Sequence, residues 1–598
     1  MMGIVFFTYF CNMKPLRKLT FLLSPISHEL PFMVAFLMLM GIKWSRQLRF
    51  FIFGTDARAT LIEVVGQLAF LFLMAYLLAA LIRVVNRKWF RMMLYALVIA
   101  LFGIEMFMEK NFLMTISPNS LILVAETNGN EVENFLSMYM LTPASIQTYI
   151  WVLVAAVSAY LLERFYRKKT WKKVSAFFSN KAWLALPLSL WLLFGCYSGK
   201  SLVYMLSTDN ADEFYIDYEW QDIHPEDPIS SLFRSFYGIH IAKKEMRRAV
   251  EVTTHMRKDA SVVFNDTVQV VLVIGESYNK WHSPLYGYPL NTAPNMLRER
   301  DNDQLFVFSD VLSPFNHTSP TLKNMLCCNS LAHNEPWCES PYFPAVIRQA
   351  GYQVQLWDNQ NDVGLGTISS FALNSFIYDP QMVEFCYSAS NEERKEYDGV
   401  LIDDYLQKNF PLNGRNFSII HLLGQHFDAA NQFPHEPRFM RFSADSISRK
   451  DAFLTPHMKE RIALYDNATY YNDYCMGRLF EAFRGMNAVI VYLSDHGEEV
   501  FDYRDFEGRD APNNHAEGNR LKNQFMVPFM VWCSEKYMSN HPEVVELLGK
   551  AKDSPFLTDN LCHLMFHLAG VQTSYYVAER DILSPLFKPT KRVGVSKY

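Results

Sequence analysis

Residues 64–82 and 182–199 contain no charged side chain, and residues 92–108 contain only Glu105. A helix needs about 20 mostly apolar residues to cross the hydrocarbon of a bilayer, so these windows decide what the first third of the chain can become. Residues 150–162 sit inside a further uncharged run that begins after Glu133. A fifth window, 22–42, is interrupted by Pro25, His28, Glu29 and Pro31, leaving 30–42 as its charge-free stretch. Buried helices of a soluble bundle would show similar windows. Their recurrence points instead to five membrane spans. A cleaved signal peptide does not fit, because further spans follow and no small-residue cleavage site is evident.

Charge divides the chain in the same place. Residues 1–200 hold 20 Lys and Arg against 9 Asp and Glu, a net of +11, whereas residues 201–598 hold 36 against 52, a net of −16. A basic apolar third joined to an acidic remainder excludes a soluble enzyme with one core, and nothing suggests a nucleic-acid partner. With 598 residues, half of them hydrophobic, the chain is also no disulfide scaffold, collagen or disordered tail. Basic residues between spans set orientation. Lys14, Arg17 and Lys18 precede the first span. Arg83, Arg87, Lys88 and Arg91 separate the second from the third, and Arg164, Arg167, Lys168, Lys169, Lys172 and Lys173 the fourth from the fifth. Placing all three clusters in the cytoplasm puts the N-terminus inside and everything after Lys200 outside. Lys43, Arg46, Arg49 and Arg58 run against this arrangement.

Residues 1–200 are therefore expected to form a transmembrane helical domain, 201–266 a connector and 267–598 a catalytic domain. The connector is aromatic and charged, and residues 229–241 read either as an amphipathic helix along the bilayer or as a solvated linker. Seven of the nine Cys lie beyond the membrane third. Cys327, Cys328 and Cys338 are spaced so that a short disulfide loop could close, as an exported domain permits.

Beyond the connector, the apolar runs 268–274, 352–357, 417–423 and 488–493 each finish in polar residues. Continuous apolar strands separated by helical segments signal an α/β domain with a parallel sheet covered on both faces, whose chemistry gathers at the strands' carboxyl ends. The first run delivers Glu276, a later one Gly424-Gln425-His426, and the last Ser494-Asp495-His496-Gly497-Glu498-Glu499. Two carboxylates and one imidazole make a plausible zinc set. Thr318, ahead of a helix-like run, could supply a hydroxyl at a helix N-terminus, suited to a phosphate, and zinc would make it a nucleophile. Singly, each residue would also suit a cap or a turn.

Together, VVLVIGESYNKWHSPLYGY at 270–288, Asn291-Thr292-Ala293-Pro294, and SDHGE about 220 residues later resemble the membrane-bound phosphoethanolamine transferases of Gram-negative bacteria. These belong to the alkaline phosphatase and sulfatase superfamily and carry five membrane helices before a periplasmic sulfatase-like domain. The resemblance implies Glu276, Asp495, His496 and Thr318 as metal ligands, with Thr318 the nucleophile, 42 positions after Glu276. Ser319 and Thr321 are its local rivals. It implies His426 and His515, in NNHAEG, as groups contacting the phosphoryl. Thr127 and Glu131 match substrate-contacting positions of an outer loop, Glu131 pairing with the ethanolamine ammonium. From the residues alone, that loop would be a solvated turn.

Departures are visible. Phe427 and Asp428 replace a Gly-Pro, and Leu123 stands where many members have Asn. Against a sulfatase activity, Thr318-Ser319-Pro320-Thr321-Leu322 has Thr where Cys or Ser is converted to formylglycine, and Leu where Arg belongs. The resemblance implies transfer of phosphoethanolamine from phosphatidylethanolamine to the lipid A or core of lipopolysaccharide, through one zinc ion (a second is left open) and a phospho-threonine. Alternatives are a phosphoglycerol transferase of the same fold acting on a glycan, and a non-catalytic membrane scaffold.

Overall fold

The computed structural model describes residues 22–40, 61–112, 116, 121, 140, 142–200, 207, 228–360, 373, 376–426, 428–509 and 518–589. The chain forms two compact units, with Ile241 in the first and Ala242 in the second, so the helix Pro228–Thr254 contributes to both.

In the first unit, helices α1 (Leu22–Met40), α2 (Leu61–Val85), α3 (Lys88–Phe112) and α4 (Pro143–Phe165) each hold a stretch long and apolar enough to cross a membrane. The fifth expected span is shorter: after the turn Ala182–Leu184 comes α5, Ala185–Ser198, of 14 residues. At 1.5 Å per residue that is about 21 Å, less than the hydrocarbon thickness of ~30 Å. It lies close against α2, since a Cβ on Gly195 would stand 2.6 Å from the Ala69 carbonyl oxygen. Small residues let such helices approach.

The window with two prolines and a glutamate is a continuous helix for identifiable reasons. Pro31 has no N–H to give the Ser27 carbonyl, and Tyr166 supplies the missing donor, its hydroxyl 2.6 Å away. Glu29 is buried, and Arg91 grips it with two hydrogen bonds of 2.9 and 3.0 Å while Arg167 adds a third at 2.9 Å. Arg167 also pairs with Glu163. A charge in an apolar bundle persists only when paired in this way.

The second unit is built on a seven-stranded sheet. Its strands are β1 (Gln269–Gly275), β2 (Leu305–Phe308), β3 (Gln353–Asp358), β4 (Ala389–Ser390), β5 (Asn416–His421), β6 (Ala488–Ser494) and β7 (Phe529–Cys533), in spatial order β2-β7-β6-β1-β5-β3-β4. The pairs β6-β1, β1-β5, β5-β3 and β3-β4 are parallel, and β7 runs antiparallel to both neighbours. Alternate residues of β1 feed different cores, as the period of two requires. Val270, Leu272 and Ile274 join one cluster with Phe343, Val346 and Phe566, whereas Val271 and Val273 join another under the long helix α6 (Pro456–Phe483). All four apolar runs expected from the sequence are strands, to within two residues at each end. Register then aligns their ends: Gly275 pairs with Ser494, Ile274 with His421, and His421 with Asp358.

Candidate metal centre and active site

Because β1, β5, β6 and β3 end level, the residues that follow them meet in one place. Glu276, Asp495 and His496 are fully buried, and one ligand atom from each lies within 4.8 Å of the others. Thr318 opens the helix α7 (Thr318–Met325) and aims its hydroxyl at them. The hydroxyl donates to Glu276 Oε2 at 2.9 Å and stands 3.2 Å from His496 Nε2. The four residues expected to converge therefore do so.

Hydrogen bonds orient each ligand. His496 Nδ1 lies 2.9 Å from the Gly497 carbonyl, to which it donates. That leaves the Nε2 lone pair facing Asp495 Oδ2 at 3.1 Å and Glu276 Oε1 at 3.2 Å. Asp495 Oδ1 accepts the amides of His496 (2.7 Å) and Ser277 (3.2 Å). Its Oδ2 is buried and has no hydrogen-bond partner among the described residues. A buried carboxylate oxygen left without a donor is costly, and here it points where an imidazole lone pair, a second carboxylate and a hydroxyl converge. That donor set suits zinc, so the residues present fit the metal.

Glu276 is fixed from several sides. Its Oε1 accepts the Ser277 hydroxyl at 2.7 Å, and its Oε2 also accepts Gln360 Nε2 at 3.1 Å. Ser277 holds a left-handed backbone (φ 57°), uncommon for a residue with a side chain. Gly424 is left-handed too (φ 54°), and a Cβ there would stand 2.7 Å from both the amide nitrogen and the carbonyl oxygen of Glu276. Only glycine lets the Gln425-His426 turn come so near.

Electrostatics follow from burial. Burial opposes ionisation of Glu276, but His496 beside it, followed by His426 and Arg509, holds its carboxyl well below the usual range. Burial and the adjacent Glu276 push Asp495 well above it. Two buried carboxylates this close cannot both be charged without a cation between them. Burial, then the charge of Arg509, lowers His496, consistent with a neutral ring offering a lone pair.

His426 is half-buried, its amide bonded to the Leu423 carbonyl at 3.1 Å, and its charge bears on Glu276. His515, Thr127 and Glu131 lie outside the described residues. The eight described cysteines, Cys327, Cys328 and Cys338 among them, are free thiols. Two groups at the site escaped the sequence reading. Gln360 follows β3 within the polar finish of that run, the one signal available. Arg509 stands 2.6 Å from His496 Nε2, in a loop without periodicity.

The sheet order and this cluster at its carboxyl ends define a sulfatase-type α/β domain. The sulfatase family model matches residues 269–571, and the chain belongs to that family. Within it the chain is homologous to phosphoethanolamine transferases. It is 25% identical over 486 residues to phosphoethanolamine transferase EptC of Escherichia coli, covering 80% of this chain and 79% of that protein. It is 26% identical over 292 residues to the Kdo(2)-lipid A phosphoethanolamine 7''-transferase of Salmonella typhimurium, covering 48% of each. The integral membrane lipooligosaccharide phosphoethanolamine transferase A of Neisseria meningitidis shares the fold. The match covers 94% of this chain and 97% of that one, with 17% identity and a TM-score of 0.50.

Proposed function

We propose that the protein transfers phosphoethanolamine from phosphatidylethanolamine to the lipid A or core region of lipopolysaccharide, by way of a phospho-threonine at Thr318. The observation that carries this reading is the Thr318 hydroxyl, 2.9 Å from Glu276 Oε2 at the first residue of α7. Zinc held by Glu276, Asp495, His496 and Thr318 would acidify that hydroxyl and offset charge on the phosphoryl oxygens.

Thr318 Oγ1, deprotonated to bulk water where the four residues would hold the metal, attacks phosphorus as the alkoxide. The Oγ1–P bond forms, the bond from phosphorus to the diacylglycerol oxygen breaks, and His426 or His515 protonates the leaving oxygen. In the second displacement the same histidine takes the acceptor hydroxyl's proton. The acceptor oxygen bonds phosphorus and Oγ1–P breaks, which returns Thr318 to the alkoxide that began the cycle. Gln360 holds Glu276 Oε2 in place throughout, anchored by its own bond to the Leu422 carbonyl at 2.7 Å. Thr127 and Glu131 take part in binding the donor, Glu131 facing its ammonium.

The reading places the protein in the inner membrane, N-terminus in the cytoplasm and residues 267–598 in the periplasm. Both substrates are then anchored in the same leaflet system as the enzyme, which replaces a search through solution by one along a surface. Incubation with headgroup-labelled phosphatidylethanolamine and lipopolysaccharide should move label into the lipopolysaccharide, and headgroup-labelled phosphatidylglycerol should not. Label moving only from phosphatidylglycerol would overturn the donor.

A further inference from the structure

The geometry points to Arg509 as a phosphoryl-binding residue of this site, its guanidinium held by Glu498 to take the non-bridging oxygens of the group carried on Thr318. The inference rests on the proposed phosphoryl-transfer reading and adds a residue to it. The Thr318 hydroxyl and Arg509 Nη1 flank the same imidazole nitrogen, 3.2 and 2.6 Å from His496 Nε2. Hydroxyl and guanidinium are therefore under about 6 Å apart, a span that a phosphoryl oxygen bridges at the ~2.8 Å of a charge-assisted hydrogen bond.

The guanidinium is placed rather than free to wander. Its Nε lies 3.1 Å from Oε2 of Glu498, which is itself 5% exposed, and the arginine side chain is 18% exposed. Arginine only donates, so its contact with Nε2 requires the imidazole lone pair. A metal ion on His496 needs that same lone pair. With metal bound, Nη1 must give its proton elsewhere while the ion pair with Glu498 persists. The acceptors that then arrive at this spot are the phosphoryl oxygens, whose planar recognition suits a guanidinium.

The test uses the full-length, zinc-loaded protein in detergent, with inorganic phosphate as the probe. Arg509→Ala and Arg509→Gln should retain zinc and thermal midpoint while phosphate binding, measured by calorimetry, weakens at least ~10-fold. Added guanidinium should restore part of the diacylglycerol release in Arg509→Ala. Unchanged phosphate affinity with zinc retained would overturn the inference. So would loss of zinc in both variants, which would make Arg509 a guardian of the metal ligands, or a wild-type protein that binds no phosphate. Phosphate binding that depends on Arg509 in a protein releasing no diacylglycerol would sink the proposed donor and leave this inference standing.

Discussion

Asp398 holds the amide of Gly424 at 2.9 Å with one carboxylate oxygen, and that of Leu423 at 2.8 Å with the other. The second oxygen also accepts Asn359 Nδ2 at 2.9 Å. One fully buried carboxylate thus ties the turn leading to His426 to the residue beside Gln360, and Gln425 donates its amide to the Glu276 carbonyl at 2.9 Å. Burial pushes Asp398 up, while these donors favour its charge. Asp398→Ala leaves three buried donors without an acceptor, each costing about 1–3 kcal/mol if unmet. We expect the thermal midpoint to fall and diacylglycerol release to drop more than 10-fold, with Asp398→Asn between the two. Wild-type release from Asp398→Ala would contradict a positioning role.

His282 behaves as a buried cation. Its Nδ1 lies 2.7 Å from Asp466 and its Nε2 3.2 Å from Asp502, with the rings of Tyr288 and Tyr465 packed against it. Burial disfavours its charge, but Asp466 and Asp502 more than compensate and raise it to about 10. Its folded-state value lies above the unfolded one near 6.5, so the stability it contributes is complete below pH 6.5 and is lost as pH climbs towards 10. Urea unfolding should show wild type losing stability between pH 7 and 10 faster than His282→Gln. Parallel pH profiles would contradict this.

The membrane unit offers a separate test. Tyr166→Phe removes the donor to the Ser27 carbonyl and should cost about 1–2 kcal/mol in detergent. Glu29→Ala leaves Arg91 and Arg167 without their shared buried partner and should cost about 3–5 kcal/mol. Thermal unfolding of the two variants should rank them in that order, and equal midpoints would contradict it.

Metal removal should act through Asp495. Chelation leaves Glu276 and Asp495 facing each other without a cation, so release should cease and return on adding zinc. Asp495→Asn keeps the shape but loses the charge, and its zinc content should fall several-fold. Full zinc content in that variant would place the metal elsewhere.

Much of this site was legible because strand ends carry chemistry in a parallel sheet. The apolar run of β1 and the SDHGEE that closes β6 announce Glu276, Asp495 and His496 together. Gln360 and Arg509 were not legible, because their roles come from loop paths that no periodicity encodes. β7 was missed as a short apolar run after Pro528, and β4 has only two residues. The first span was legible as the window 22–42, but what lets it stay helical through Pro31 and Glu29 was not, since Tyr166 and Arg167, which reconcile them, lie more than a hundred residues further along the chain.

The most direct test of the central claim is diacylglycerol release from labelled phosphatidylethanolamine by purified protein, wild type beside Thr318→Ala and Thr318→Ser. The account predicts release by wild type, none above background from Thr318→Ala, and partial release from Thr318→Ser, with all three retaining their fold. Equal release by wild type and Thr318→Ala would contradict it and move the nucleophile elsewhere.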